Sequence, residues 1–424
     1  IRDSFTIGQK IFNATKKRTK RNYLILSLLI NLGFLGYFKY TNFFIDSFIS
    51  SFRIFGTQLD SFSLNIILPV GISFYTFQTL SYTIDIYRDK LKPKKNWLAF
   101  FSFVAFFPQL VAGPIERASH LLPQFFKTHP FNYKIFKSGL LLIAFGLFKK
   151  MVIADRLAML VNEVYNNPEL YSGTDLIIAT IFFAFQIYCD FSGYSDIAIG
   201  IARTMGFDLM KNFDAPYFSK SITDFCRRWH ISLSTWFRDY VYIPLGGSRK
   251  GEYRVYFNLF IVFVVSGLWH GAAITFIIWG AIHGFIIIVE KAFGKYKLIT
   301  KKDQLIPSLL FTLTTFSIVC FAWIFFRANS FSDSVYIVEH LFDFTSAKGV
   351  FNLGLPEHEV KLSIIAILAL MSFDCIHRKL NAIKQLNNIH FTLRTLIYVT
   401  IIYTISIFGV YGEGVEADFI YFQF

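Results

Sequence analysis

The chain has 424 residues, of which 54% are hydrophobic and 17% are charged, and its formal net charge is +14. A soluble domain is about half apolar and about one quarter charged. The 53 phenylalanines and the mean hydropathy of +0.47 therefore exclude an ordinary soluble protein. The positive charge does not require a nucleic-acid partner, because membrane proteins concentrate Lys and Arg in cytoplasmic loops. We predict no binding of nucleic acid.

Residues 1–21 form a polar, basic stretch that we interpret as a cytoplasmic lead-in. The remainder, 22–424, is predicted to be a single membrane-embedded domain. The chain begins at Ile1 rather than at Met and shows no signal peptide. From this start we expect further membrane helices to precede the chain in the full protein.

Apolar runs close to the 17 to 25 residues needed to span a bilayer recur along the chain. They predict an all-α, polytopic integral membrane protein with roughly 8–10 membrane helices, some of them re-entrant or interfacial. The runs lie near 22–40, 64–82, 97–113, 136–153, 176–189, 255–270, 273–289, 306–326, 362–374 and 395–411.

Three clusters of cations predict the sidedness of the first loops, because Lys and Arg are retained in the cytoplasm. Segment 41–63 has few charges and is predicted to lie outside, in a multi-pass protein of the cell (cytoplasmic) membrane. The predicted cytoplasmic clusters are Lys16, Lys17, Arg18, Lys20 and Arg21; Arg88, Lys90, Lys92, Lys94 and Lys95; and Lys295, Lys297, Lys301 and Lys302.

A polar segment, 186–250, interrupts the apolar pattern and begins with Asp190 and Asp196 at the end of an apolar run. If the stretch 225–247 is helical up to Pro244, its cations share one face and its large rings share another. The cationic face comprises Arg227, His230, Ser234 and Arg238, and the aromatic face comprises Trp229, Leu233, Trp236 and Tyr240. Pro244, Gly246 and Gly247 are expected to end the helix in a tight turn.

Two interpretations of this helix remain open. It is either an interfacial helix with its arginines toward lipid phosphates, or the wall of a cytoplasmic cavity that receives a phosphate-bearing anion. Together with Arg227, Ser234 and Arg238, the candidate substrate- or donor-binding residues are Arg228, Trp229, Asp239, Trp269, Asp190 and Asp196.

His270 lies within Val255–Val289, 35 residues without Asp, Glu, Lys or Arg. An imidazole is costly in such surroundings, so it either bonds a neighbouring helix or acts as a general base on a hydroxyl. We expect a chain break near Gly271, close approach of backbone or substrate at Gly267 and Gly271, and Trp269 beside the site. His283 is expected to be structural.

The four cysteines, Cys189, Cys226, Cys320 and Cys375, have no zinc-binding spacing. No metal site and no permanently bound cofactor are predicted.

Several of these stretches together resemble the membrane-bound O-acyltransferase family, and within it the alginate O-acetyltransferase-like branch. The matching residues are Phe107–Arg117, Tyr188–Asp196, Arg227–Tyr240, Ile243–Gly247, Gly267–Gly271 and Phe419–Phe424.

The resemblance implies a central membrane tunnel, in which His270 takes the place of the family's catalytic histidine and His230 that of its second motif histidine. It further implies acetyl-CoA as the cytoplasmic donor substrate, a polysaccharide acceptor outside and an extracytoplasmic esterase-like partner protein. Family members carry further helices before the first basic cluster.

Three alternatives remain open at this stage. One is D-alanyl transfer from a carrier protein to a cell-wall polymer. Another is a proton-coupled transporter or flippase in which His270 and Asp190 or Asp196 relay protons, although the paired halves typical of transporters are not apparent. The third is a non-catalytic scaffold for glycan export.

Overall fold

The computed structural model describes residues 1–54, 60, 62–294, 305–344, 348–380, 389–411 and 419–420. These residues form helices and connecting loops. The third basic cluster and residues 421–424 lie outside the described residues. The described chain forms two compact units, 1–132 with 205–210, and 133–204 with 211–424.

The helices of the first unit are α1 (Arg2–Asn13), α2 (Lys17–Leu35), α3 (Thr41–Ile54), α4 (Ile72–Tyr87), α5 (Trp97–Val104) and α6 (Ala118–Leu121). The second unit contains α7 (Tyr133–Leu147), α8 (Asp155–Asn166), α9 (Thr174–Thr204), α10 (Ile222–Arg228), α11 (Ile231–Phe237), α12 (Glu252–His270), α13 (Ile274–Gly294), α14 (Leu305–Arg327), α15 (Phe331–His340), α16 (Glu357–Leu380) and α17 (Phe391–Phe408).

Five segments of the described chain are long and apolar enough to cross a membrane, which confirms an all-helical, multi-pass membrane protein. They are Lys17–Phe52, Thr174–Thr204, Ile274–Gly294, Ile306–Arg327 and Phe391–Phe408. Four other long helical stretches coincide with predicted apolar runs: α4, the continuous segment 133–166, α12 and α16. The central tunnel stays a prediction.

The predicted run 97–113 does not form a spanning helix. Its helix, α5, has eight residues and is capped by Asn96, whose side chain accepts a hydrogen bond from the Ala99 amide at 3.1 Å. Residues 105–113 form turns because Pro108 interrupts the backbone hydrogen bonding of a helix. Likewise, 64–71 are not helical, and α4 begins after Gly71, which has a positive φ of 73°.

Helix α9 is the centre of the second unit. In its most apolar window 83% of the residues are buried, compared with 0% for α17. Helix α7 packs closely on α9 because glycines face each other at two levels, Gly146 with Gly193 and Gly139 with Gly200. A Cβ at Gly146 would lie 2.6 Å from the Gly193 carbonyl oxygen, so these residues allow the two backbones to approach.

We expect Gly146→Ala to lower the melting temperature of the detergent-purified protein, because the α7 and α9 backbones must separate. Overpacking of this kind destabilises by about 1–3 kcal/mol. Gly33→Ala in α2 is the matched control, since a Cβ there meets no described atom within 4 Å. Equal melting temperatures for the two variants would contradict the close packing.

In the first unit, a polar cluster joins α6 to loop 205–210. The fully buried Glu116 carboxylate accepts a hydrogen bond from the Met210 amide and contacts His120 Nδ1 at 2.7 Å. His120 Nε2 lies 3.7 Å from Asp208. The bond to Glu116 raises the pKa of His120 above its ordinary value of 6.5. Burial also raises the pKa of Glu116.

Because the pKa of His120 is raised in the folded state, its stabilising effect is complete below pH 6.5 and is lost as the pH rises through the folded pKa. The raised pKa of Glu116 acts with the same sign. We therefore expect the melting-temperature difference between wild type and His120→Gln to shrink as the pH rises from about 6.5 to about 8.5. The exposed His358 provides the control variant His358→Gln. A difference that does not change with pH would contradict this assignment.

Candidate functional site

The helix predicted within 225–247, up to Pro244, is interrupted at His230. Helix α10 ends at Arg228, and α11 begins at Ile231. Between them His230 adopts a left-handed backbone conformation with φ 44°, which a continuous helix does not allow. Arg227, His230, Ser234 and Arg238 therefore do not share one helical face, and that prediction was wrong.

The break depends on Asn212, a buried residue that the sequence analysis did not single out. Its carbonyl oxygen accepts a hydrogen bond from the Ile231 amide at 2.9 Å, and its Oδ1 accepts bonds from the Ser232 amide and hydroxyl. Its Nδ2 donates to Ser195 Oγ of α9 at 3.1 Å. Asn212 thus satisfies the backbone at the start of α11 and attaches it to α9.

His270 is the last residue of α12, and Gly271 continues in an extended conformation with φ −151° and ψ 150°, which confirms the predicted break. A close approach was expected at Gly267 and Gly271, and the element that approaches these glycines is α13. A Cβ at Gly267 would lie 2.1 Å from the Phe276 carbonyl oxygen, and one at Gly271 would meet the Phe276 ring. The glycines thus fix the α12–α13 hairpin that presents His270.

The two histidines from these separate breaks meet in the interior. Their ring centroids lie 6.3 Å apart, and both side chains are buried. Trp269 lies beside both of them, at 6.0 Å from the His230 ring and 5.0 Å from the His270 ring. Burial lowers the pKa of His230 below its ordinary value, which favours the neutral imidazole.

Aromatic side chains form the walls around this histidine pair. Phe191 of α9 contacts the His230 ring edge-on at 4.6 Å, while Trp279 and Phe326 contact His270 at 5.1 and 5.4 Å. Such walls exclude water and strengthen polar interactions inside the site. An imidazole held in these surroundings is suited to take up a proton from a bound hydroxyl.

Trp229 and Ser234 are structural parts of the same region. Trp229 is buried and packs on Phe225 at 5.5 Å and on Trp323 at 5.1 Å. Ser234 Oγ donates to the Trp229 carbonyl oxygen at 3.3 Å. Both residues support the break on either side of His230.

The three predicted anion-binding arginines point to different surroundings. Arg228 pairs with Asp224 at 2.9 Å and with Asp214 at 3.4 Å. Arg238 pairs at 2.8 Å with its neighbour Asp239, in a π-helical turn that follows α11. Arg227 lines a separate pocket of about 800 Å³. They do not form one cationic surface.

Asp190 and Asp196 are held by two lysines that the sequence analysis passed over within an apolar run. Lys149 forms an ion pair with Asp196 and donates to Ser192 Oγ at 3.0 Å. Lys150 lies 2.7 Å from Asp190. The lysines occupy a π-helical turn, Phe148–Ala154, between α7 and α8. Two adjacent lysines inside an apolar run were the available indication of this pairing.

Asp190 also binds the last described residues of the chain, 419–420. Its Oδ2 accepts a hydrogen bond from the Ile420 amide at 2.8 Å, and Phe419 packs on Tyr194 at 5.1 Å. Phe419 lies 6.2 Å from Phe191, the residue that contacts His230. Residues 419–420 therefore contribute to the wall behind the histidine pair.

His283 has the contacts of a structural residue. Its Nδ1 lies 3.1 Å from the Trp279 carbonyl oxygen, one helical turn earlier, and its ring is buried against Trp279 at 4.7 Å. The structure thus gives His270 and His230 a shared site and gives His283 a place within the packing of α13.

The sequence model of the membrane-bound O-acyltransferase family matches residues 88–327, which include both histidines and α9. The chain is 42% identical over 344 residues to the probable alginate O-acetylase AlgI of Pseudomonas aeruginosa, covering 80% of this chain and 64% of that protein. It is 38% identical over 363 residues to the peptidoglycan O-acetyltransferase of Helicobacter pylori, with 79% of this chain and 67% of that protein covered.

A more distant similarity links the chain to the teichoic acid D-alanyltransferase of Bacillus subtilis. The two are 29% identical over 285 residues, which cover 63% of this chain and 70% of that protein. The chain thus spans about two thirds of the length of the relatives it matches.

Proposed function

The chain belongs to the membrane-bound O-acyltransferase family, and from this premise we propose that it passes acetyl groups towards a cell-surface or secreted polysaccharide. The observation that carries the proposal is the pair His230 and His270, brought within 6.3 Å by two separate chain breaks. We further propose acetyl-CoA as the donor, delivered from the cytoplasm, and the cell membrane as the location.

The proposed reaction begins when the His270 imidazole takes the proton of an acceptor hydroxyl. The hydroxyl oxygen attacks the thioester carbon, so that a C–O bond forms while the C–S bond breaks. The proton on His270 then passes to the departing thiolate, which leaves as a thiol. His230, kept neutral by burial, is proposed to orient the reacting groups beside Trp269.

In this proposal the final acceptor polymer lies outside the cell membrane, whereas the acetyl donor lies in the cytoplasm. We propose that an extracytoplasmic esterase-like protein receives the group and completes its transfer to the polysaccharide. The names of two relatives, a probable alginate O-acetylase and a peptidoglycan O-acetyltransferase, support a polysaccharide as the final acceptor.

D-alanyl transfer is the second candidate, favoured by the 29% identity to a teichoic acid D-alanyltransferase. Both reactions use a thioester and a hydroxyl, so the histidine pair suits either. Supplying purified protein with labelled acetyl-CoA or with a D-alanyl thioester of a carrier protein separates them, since the substrate that loses its acyl group identifies the donor.

We expect His270→Gln to remove acetyl transfer from labelled acetyl-CoA while the protein still inserts and purifies as the wild type does. Loss of a general base lowers the rate by about 10²–10⁴. His283→Gln is the matched control, because it removes an equally buried imidazole from the packing of α13. A His270→Gln variant with near-normal transfer would refute the proposed role.

A cytoplasmic donor predicts the sidedness of three exposed cations, Lys17, Lys94 and Arg249. Cysteines placed there in a cysteine-free background should resist an impermeant thiol reagent in intact cells and react after permeabilisation. Ser50→Cys, in the segment predicted to lie outside, is the control that should react in intact cells. Labelling of the Arg249 position from outside would contradict a cytoplasmic donor.

A further inference from the structure

The pocket that Arg227 lines is formed by α10, α12, α13 and α14 and has a volume of about 800 Å³. Its lining includes three cations, Lys220, Arg227 and Lys291. It also includes apolar side chains, among them Ile287, Phe311 and Ile318. The pocket therefore offers both positive charge and apolar surface to a ligand.

Among the lining residues that the structure describes, the one carboxylate belongs to Glu290, and it is already bound to α10. It accepts hydrogen bonds from the Ile222 and Thr223 amides at 2.5 and 2.9 Å and from the Thr223 hydroxyl at 2.7 Å. In the described part of the lining, three cations against one such carboxylate leave an excess of positive charge. That charge complements a phosphate, for which Arg and Lys are the usual protein ligands.

The pocket extends along α13 and α14, two of the segments that are apolar enough to span the membrane. In α13, Ile287 lies one turn deeper in the helix than Lys291, and in α14 the lining runs from Phe311 to Ile318. Seven residues of helix correspond to about 10 Å. This is enough to accommodate a phosphate-bearing headgroup and the first methylenes of an acyl chain.

The pocket borders a face of α14 that is open to its surroundings. Thr314, one of the lining residues, is exposed, and its neighbours Leu310 and Leu313 are 62% and 53% exposed. Because Ile306–Arg327 is apolar enough to span the membrane, this face is suited to contact lipid. A lipid can therefore enter from the side, with its chains beside α14.

We infer that this pocket binds an anionic phospholipid, with its phosphate on Lys220, Arg227 and Lys291 and its acyl chains between α13 and α14. The bound lipid would also hold α10, which leads directly into the break at His230, against α13. The inference does not depend on which acyl group the protein transfers.

The test measures thermal unfolding of the delipidated protein in dodecyl maltoside as phosphatidylglycerol or phosphatidylcholine is added. The binding variant is Lys220→Gln/Arg227→Gln/Lys291→Gln. A matched control, Arg249→Gln/Lys250→Gln/Arg254→Gln, removes the same charge from residues that do not line the pocket. We expect phosphatidylglycerol to protect the wild type and the control more than phosphatidylcholine does. The binding variant should require at least about tenfold more phosphatidylglycerol, because charge-assisted contacts are lost.

Glycerol phosphate and CoA, added separately, distinguish a lipid from a soluble phosphate. If either protects the wild type as well as phosphatidylglycerol does, and the binding variant loses that protection, the pocket is not a lipid site. Equal lipid affinities of the binding and control variants would also overturn the inference. Should the binding variant fail to fold, Thr314→Phe narrows the apolar side, with Leu310→Phe as its control. Only Thr314→Phe should weaken the protection by phosphatidylglycerol.

Discussion

The hydrogen bonds of Asn212 are the constraint on which the histidine site depends. A left-handed residue between two short helices leaves backbone groups without helical partners, and Asn212 satisfies those at Ile231 and Ser232. The same side chain is attached to α9 through Ser195. As a result, the His230 side chain lies beside Trp269 and His270. In a continuous helix it would instead lie on the same face as Arg227.

A second constraint places the other histidine. Helices α12 and α13 approach so closely that a Cβ at Gly280 would lie 2.3 Å from the Phe263 carbonyl oxygen, and Gly267 has the corresponding role on α12. The hairpin therefore has little freedom to slide, and His270 at its tip is held against Trp279 and Phe326. These two close backbone contacts thus fix the position of His270, as the bonds of Asn212 fix that of His230.

The sequence allowed the prediction of features determined by neighbouring residues. The 35-residue run without charges around His270 predicted both an unusual buried imidazole and a break at Gly271. The break at His230 was not predictable in this way, because residues 227–240 satisfy a helical periodicity throughout. The break depends instead on the hydrogen bond between Asn212 and Ile231, which are 19 positions apart in the chain. A helical periodicity depends only on residues a few positions apart, so it cannot indicate such a contact.

The ion pairs of Lys149 and Lys150 were also not predictable from neighbouring residues. They also help to distinguish an acyltransferase from a transporter. Their carboxylate partners, Asp196 and Asp190, are 47 and 40 positions away in the chain. Each pair is largely buried, and removing one partner of a buried pair destabilises a protein by about 3–5 kcal/mol. A proton relay through these aspartates would require them to leave their lysines during each cycle. Held as they are, they join the α7–α8 segment to α9 and support the wall behind His230, a structural role that suits an acyltransferase better than a proton-coupled transporter.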